Sequence, residues 1–285
     1  MRIRRAREED LRALAGIFAR AATYLVERYR PEQVGVFSVE PEERLPVYRH
    51  LLGTGAVFVA EDPEPVGFSA AVIRDGTWFL SQLWVLPERH ASGIGSMLLD
   101  EALAWGRGCR VFSVVSSPHP AAQLMYLRAS MFPLWVEHEM TGSDLPVAEP
   151  PEGIEPIQEA DQGWVTELDR EVRGIARPED HAFWRSNARG LSLRRGGHRA
   201  GYVYVWPNGK VGPGAVRDPT DTPMLIRAAR HLAGGPATFA VPSTNWAAIG
   251  ELVRSGFSPF GSTTFMASRG LGDGSRYLSG GGALG

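Results

Sequence analysis

Apolar residues recur at three- and four-residue steps in Leu11, Leu14, Phe18, Ala22 and Leu25, directly behind Asp10. That period predicts an amphipathic helix with Asp10 as its cap. A second helix is predicted over residues 41–52. Residues 56–60 read as a short apolar strand, and 66–73 and 77–86 as the two arms of a hairpin turning at Asp75-Gly76. A helix over residues 93–106 would bury Leu98, Leu99, Ala102 and Leu103. A buried strand over 111–115, a helix over 121–131 and a strand over 133–140 complete the order β-α-α-β-β-β-α-β-α-β. This is a mixed α/β pattern.

Composition changes the picture in three ways. A length of 285 residues favours two domains over one. The stretch 142–153 carries Pro146, Pro150 and Pro151 among acidic residues and reads as a linker. The expected division is a first domain over 1–143, a linker over 144–153 and a second domain over 154–285. The glycine-rich end, 270–285, is expected to be flexible unless something pins it.

A net charge of −2 implies no polycationic surface for nucleic acid. The start lacks the apolar core of a signal peptide, and no apolar run approaches the length of a membrane span. A cytoplasmic protein without membrane or nucleic-acid partners, a monomer or a homodimer, is expected. One cysteine, Cys109, cannot form an intramolecular disulfide, and the scattered histidines offer no metal-ligand spacing. Among the basic residues Lys210 is the sole lysine, and arginine cannot act as a general base.

The most informative chemistry lies at residues 83–99. The strand through Leu83, Trp84 and Val85 stops at Pro87, and Gly93 and Gly95 then open an amphipathic helix. Glycine permits positive φ and close approach of the backbone to a ligand. The amides of His90, Ala91, Ser92, Gly93, Ile94, Gly95 and Ser96 are placed to converge as an anion nest at the helix N-terminus, with a diphosphate as a suitable guest. A plain strand-turn-helix corner would use the same glycines. A dinucleotide-binding turn fits poorly, because Leu98 stands where its third glycine belongs and Asp100 and Glu101 come too early.

Val85, Pro87, Gly93 and Gly95 stand in the register of the acetyl-CoA signature Val-x-Pro-x-x-(Arg/Gln)-x-x-Gly-x-(Gly/Ala), and the string resembles that of the GNAT superfamily of N-acetyltransferases. His90 replaces the usual Arg or Gln. Downstream, Ala122 and Tyr126 match the family pattern Asn-x-x-Ala-x-x-x-Tyr-x-x-x-Gly-Phe, with His119 for Asn and Ser130-Met131 for Gly-Phe. The resemblance implies acetyl-CoA as co-substrate, no metal, and direct transfer of acetyl to the amine of a small molecule or peptide. It implies Tyr126 as the acid that protonates the departing thiolate. It also implies Leu83, Trp84 and Val85 as the strand lining the pantetheine, in a slot where they splay from residues 112–115. His119 is a catalytic candidate in place of Asn, Glu137 a candidate base beside His138 and Glu139, and Arg128 a candidate phosphate ligand, as are Arg89 and Arg107. Glu27, Glu32, Glu40, Glu42 and Glu43 are candidates for attracting a cationic amine, or else a solvated face. A non-enzymatic acyl-CoA-binding or regulatory protein on the same fold is the alternative.

The second half repeats the first. At an offset of 126 residues, Val85-Leu86-Pro87 meets Val211-Gly212-Pro213, His119 meets Asn245, Tyr126 meets Leu252 and Ser130-Met131 meets Gly256-Phe257. Residues 3–10 resemble 154–161. Continued without a gap, the alignment sets Gly93 against Pro219 and Gly95 against Asp221. The second copy is expected to be a degenerate GNAT-like domain without coenzyme.

Overall fold

The computed structural model of the chain describes residues 1–29, 40–142 and 149–284. It divides into two compact units, Met1–Phe132 and Pro133–Gly285. Glu32 and the first half of the expected linker, 144–148, lie outside the described residues.

In the first unit the elements follow the expected order: β1 (Arg2–Arg5), α1 (Leu11–Tyr29), α2 (Leu45–Thr54), β2 (Gly55–Glu61), β3 (Pro65–Arg74), β4 (Thr77–Val85), α3 (Ile94–Trp105), β5 (Val111–Ser116) and α4 (Pro120–Arg128). The sheet runs β1-β2-β3-β4-β5. Its pairs are antiparallel except β4 with β5, which is parallel. The β3–β4 hairpin turns on Asp75 and Gly76, at φ 47° and 72°, which suits the right-handed twist of its arms. The periodic face of α1 buries Leu11, Leu14, Phe18 and Ala22, whereas Leu25 is half-buried. Strand alternation separates two helical layers. Ser69 donates its hydroxyl to the Leu98 carbonyl on α3, and its neighbour Phe68 meets Tyr48 of α2 on the other face.

The second unit contains β6 (Phe132–Gly142), which is the last strand of the first repeat by sequence. It continues through β7 (Ile154–Pro156), α5 (Gln162–Arg173), α6 (Pro178–Asn187), β8 (Arg189–Arg195), β9 (His198–Val205), β10 (Lys210–Val216), α7 (Thr222–Ala233), β11 (Ala237–Pro242), α8 (Trp246–Arg254), β12 (Ser258–Ala267) and β13 (Tyr277–Leu278). β6 runs antiparallel to β11, from Ala237 opposite Gly142 to Pro242 opposite Glu137. The core gathers Val203, Val211, Leu225, Ile226, Phe239, Val241 and Leu252.

The repeat is visible in the backbone. Arg7 and Gln158 each give their N–H to an aspartate three residues on, Asp10 and Asp161, at 2.7 and 2.8 Å. α4 and α8 end alike: Met131 N–H reaches the Tyr126 carbonyl at 3.0 Å, and Phe257 N–H reaches that of Leu252 at 2.9 Å. Ser130 takes φ 59° where the second copy has Gly256 at 78°, so a serine occupies a left-handed cap that favours glycine.

The offset of 126 holds for β5 and β11, α4 and α8, and β6 and β12, but not for the turn before them. Pro213 lies inside β10, so it is no counterpart of Pro87. A short 3-10 turn at Pro87–Arg89 is followed by residues 90–93 and then α3. In the second unit the 3-10 turn Pro219–Asp221 runs straight into α7 at Thr222. Pro219 therefore takes the place of Pro87, and residues 90–93 have no counterpart. The second copy thus has no residues in the place of 90–93, Gly93 included, and Pro223 stands in the place of Gly95.

The tail is pinned. β13 lies antiparallel on β10, with Tyr277 opposite Ala215 and Leu278 opposite Gly214. Arg177, fully buried against Asp169, donates to the Leu284 carbonyl at 2.7 Å. The glycines of this segment turn the chain back on itself, and hydrogen bonds hold it there.

Candidate functional site

The site begins where β4 leaves β5. The two strands pair from Thr77 with Val111 to Leu80 with Val114 and no further. Against β3 the register slips between Ala70, opposite Gln82, and Ala71, opposite Leu80, which leaves Ser81 as an extra residue in β4. Such a bulge bends its strand and re-aims the residues beyond it. Past Ser81, β4 keeps β3 on one edge and has no strand among the described residues on the other. β4 thus parts from β5 beyond Leu80 and Val114, with Leu83, Trp84 and Val85 half-buried along it, while residues 112–114, expected to splay from them, pair with 78–80.

At the mouth of this fork, Gly93 caps α3 in the left-handed region, φ 84° and ψ −6°. Ala91 is also left-handed, φ 60°. The first helical bond is Met97 N–H to the Gly93 carbonyl at 3.1 Å. The N–H groups of Ala91, Ser92, Gly93, Ile94, Gly95 and Ser96 meet no acceptor among the described residues. The two glycines differ. A side chain at Gly93 would have open space, so its conformation is what calls for glycine; one at Gly95 would sit 3.7 Å from Met125 Cε and 3.9 Å from Val85 Cγ2. Gly95 therefore keeps open the gap between α3, α4 and the end of β4. Sequence reading did not mark Met125, whose Sδ accepts the Ser96 hydroxyl at 3.5 Å. Alternating exposure on a short helix gives no signal for it.

Two histidines stand at this mouth, with rings 6.1 Å apart and nearly perpendicular. Tyr24 and Tyr29 of α1 meet them edge-on, Tyr24 against His90 at 5.2 Å and Tyr29 against His119 at 5.5 Å. His90 lies 3.1 Å from the Val85 carbonyl through Nε2, so Nε2 carries the proton and Nδ1 is left as acceptor. His119 caps α4, its Nδ1 accepting the Ala121 N–H at 3.2 Å. That fixes its proton on Nε2 and leaves it no free lone pair. Burial pulls the His119 pKa down, and the nearby His90 and Arg28 add to this.

Tyr126 lies seven residues beyond His119, about two turns along the same helix face. It is 5% exposed. Burial alone pushes its phenol well above the ordinary value, so it stays protonated. Arg128, two residues on, points to a different side of α4 and is exposed. Arg89 is held by Asp62 at 2.7 Å. Glu27, Glu40, Glu42 and Glu43 are exposed.

Glu137 belongs to the second unit. It is 2% exposed on β6 and accepts the Thr263 hydroxyl at 3.4 Å. Burial pushes its carboxyl up, while a Ser279 hydrogen bond and the Arg173 charge oppose the rise. Glu137 thus lies on β6 in the second unit, while His119 and Tyr126 lie in the first.

The second unit has its own fork, between β10 and β11, which pair in parallel only at Lys210 with Thr238 and Val211 with Phe239. β13 fills it. Ser279 N–H reaches the Ala240 carbonyl at 2.9 Å, and Asn245, the counterpart of His119, donates its amide to the Tyr277 carbonyl at 2.9 Å.

No group of three or more His, Cys, Asp or Glu suited to a metal ion occurs among the described residues, and no helix there is long and apolar enough to cross a membrane.

Residues 22–131 match the family model described as Acetyltransferase (GNAT) family. Among solved structures, a candidate acetyltransferase of Pyrococcus horikoshii is similar at TM-score 0.80 and 19% identity, covering 97% of this chain and 92% of that one. A GCN5-related N-acetyltransferase of Sphaerobacter thermophilus is similar at TM-score 0.63 and 17% identity, covering 96% and 98%. A tandem GNAT protein from the clavulanic acid biosynthesis pathway is similar at TM-score 0.57 and 16% identity, covering 93% and 97%. At these identities the likeness is one of fold. No curated protein sequence is similar enough to count as a match.

Proposed function

We propose that this chain, whose residues 22–131 belong to the GNAT acetyltransferase family, moves the acetyl group of acetyl-CoA directly to an amine of a small molecule or peptide. The observation that carries the reading is the row of six amides, 91–96, without an internal acceptor at the N-terminus of α3 and beside an open strand edge. Backbone donors at a helix start, reinforced by the helix dipole, suit a diphosphate. The unpaired edge of β4 beyond Ser81 suits an extended arm with amide groups of its own. Gly95 leaves the gap through which that arm would pass toward α4.

Acetyl-CoA supplies an activated thioester. Transfer forms a C–N bond and breaks the C–S bond, and the amine loses one proton while the thiolate gains one. The chain's part is to align the reactants, and alignment alone accounts for much of the rate. Tyr126, protonated because it is buried, donates to the thiolate. The Val85 amide or its neighbour stabilises the acetyl oxygen. His119 has only an N–H to offer and positions a polar group; His90, with Nδ1 as acceptor, is the better candidate to receive the amine proton, directly or through water. The α4 cap consumes the lone pair of His119, and this favours His90 for that step.

Isothermal titration with acetyl-CoA, followed by a thiol-release assay across an amine panel, tests the reading. Saturable binding with acceptor-dependent thiol release is expected. Absence of binding would overturn the proposal, and binding without release on any amine would reduce it to coenzyme binding.

A further inference from the structure

We propose that the acceptor is an amine that also carries a carboxylate, and that Arg44 binds that carboxylate on the face of β4 opposite α3. The proposal rests on the acetyltransferase reading for its chemistry, though not for its binding site.

Beyond the bulge at Ser81, Gln82 and Trp84 face α1 and α2, while Leu83 and Val85 face α3. Phe18 of α1 meets the Trp84 ring edge-on at 4.8 Å. Arg44, immediately before α2, stacks its guanidinium on the other side of this group, 4.3 Å from the Phe18 ring centre. Tyr48, one turn on, packs on Phe68, whose strand neighbour is Trp84. These residues form one continuous wall leading to the free edge of β4.

The wall holds donors without acceptors. Stacking uses the flat face of a guanidinium and leaves its five N–H groups at the rim. Arg44 has no carboxylate or carbonyl partner among the described residues, and the Tyr48 hydroxyl, on a side chain 2% exposed, has no hydrogen-bond partner either. Burial pulls the Arg44 pKa below the ordinary guanidinium value, while Tyr48 and Glu43 oppose the shift. A half-buried guanidinium whose N–H groups meet no acceptor is costly. A carboxylate fits the guanidinium rim in a bidentate manner, and one negative charge matches one positive charge. With its carboxylate held here, the substrate would direct its amine along Trp84 toward the fork.

The test compares each of the twenty proteinogenic L-amino acids with its carboxamide, which keeps the amine and removes the negative charge. Binding to the CoA-loaded full chain is measured by calorimetry, and turnover by thiol release. The expected result is a preference of at least about tenfold for one or more acids over their amides, lost in Arg44→Gln, partly kept in Arg44→Lys, and accompanied by unchanged affinity for acetyl-CoA. Equal binding of acid and amide, no binding of any acid, or a preference that survives Arg44→Gln would overturn the proposal. Should Arg44→Gln fail to fold, the wild-type comparison of acid with amide and the variant Tyr48→Phe, expected to weaken acid binding several-fold, decide the question. Acid-selective binding without thiol release would leave this site standing and remove acetyl transfer. Thiol release without acid selectivity would do the reverse.

Discussion

Ser279 gives its backbone N–H to the Ala240 carbonyl at 2.9 Å, and in doing so closes the fork of the second unit with the chain's own tail. Tyr277 and Leu278 are strand-paired to β10 just before it. The equivalent place in the first unit, between β4 beyond Ser81 and β5, holds no such strand among the described residues. With the turn before α7 also shortened, the second unit lacks both the amide row and the open edge. Titration with acetyl-CoA is therefore expected to saturate at one molecule per chain. A stoichiometry of two would contradict this. Ser279→Pro, which removes the N–H, is expected to cost about 1–3 kcal/mol of stability in a denaturant titration.

The two glycines of the turn are expected to fail differently. Gly93→Ala meets no steric obstacle but forces a left-handed residue, at a cost of about 1 kcal/mol. Gly95→Leu would fill the gap between Met125 and Val85, so acetyl-CoA binding is expected to drop at least tenfold with little change in melting temperature. Paired calorimetry and thermal unfolding check both. Unchanged affinity in Gly95→Leu would mean that the arm does not pass there.

Tyr126→Phe is expected to lower kcat at least tenfold while leaving the Kd for acetyl-CoA within twofold. Pre-steady-state thiol release separates the two quantities. Burial raises the folded-state pKa of this phenol above its unfolded value of about 10. The group thus favours folding in full below that value, and the contribution is lost as pH climbs above it. Activity should accordingly show no loss through Tyr126 ionisation at pH values up to about 9.

His119 carries the opposite sign. Burial, His90 and Arg28 lower its folded pKa below the unfolded value of about 6.5. Its contribution is present above that value and is lost as pH falls through the folded pKa, because protonation at Nδ1 removes the acceptor for Ala121 N–H. His119→Asn is expected to keep the cap, as Asn245 does for Ala248 at 3.0 Å, and to flatten the acid limb of the stability curve. His119→Ala is expected to cost about 1 kcal/mol at pH 7. Urea unfolding at pH 5 and pH 7 checks both variants.

Much of the first unit was legible in the chain. The period of Leu11, Leu14, Phe18 and Ala22 marked α1, Asp75-Gly76 marked the hairpin, and Gly93 marked a left-handed cap. Part of the site was not. Arg44 reads as one arginine among twenty-nine, and only the tertiary structure shows that it stands half-buried over the Phe18 ring, with no hydrogen-bonded carboxylate among the described residues. That Glu137 falls in the second unit was not legible either, because strand alternation says which side a residue faces, not which strand lies beside it.

The sequence by itself determined the elements and the turn before α3, since each rests on residues within a few positions of one another, and the existence of a repeat, since matching residues recur at a fixed offset. Helical period, left-handed glycine and capping are local, so local order encodes them. Tertiary structure alone decided that β6 lies beside β11, that Ser81 is the bulge freeing the edge of β4, and that the tail fills the second fork. Those outcomes depend on which backbone edges meet. Main-chain N–H and carbonyl groups are nearly the same in every residue, so side-chain pattern carries little information about the choice of partner.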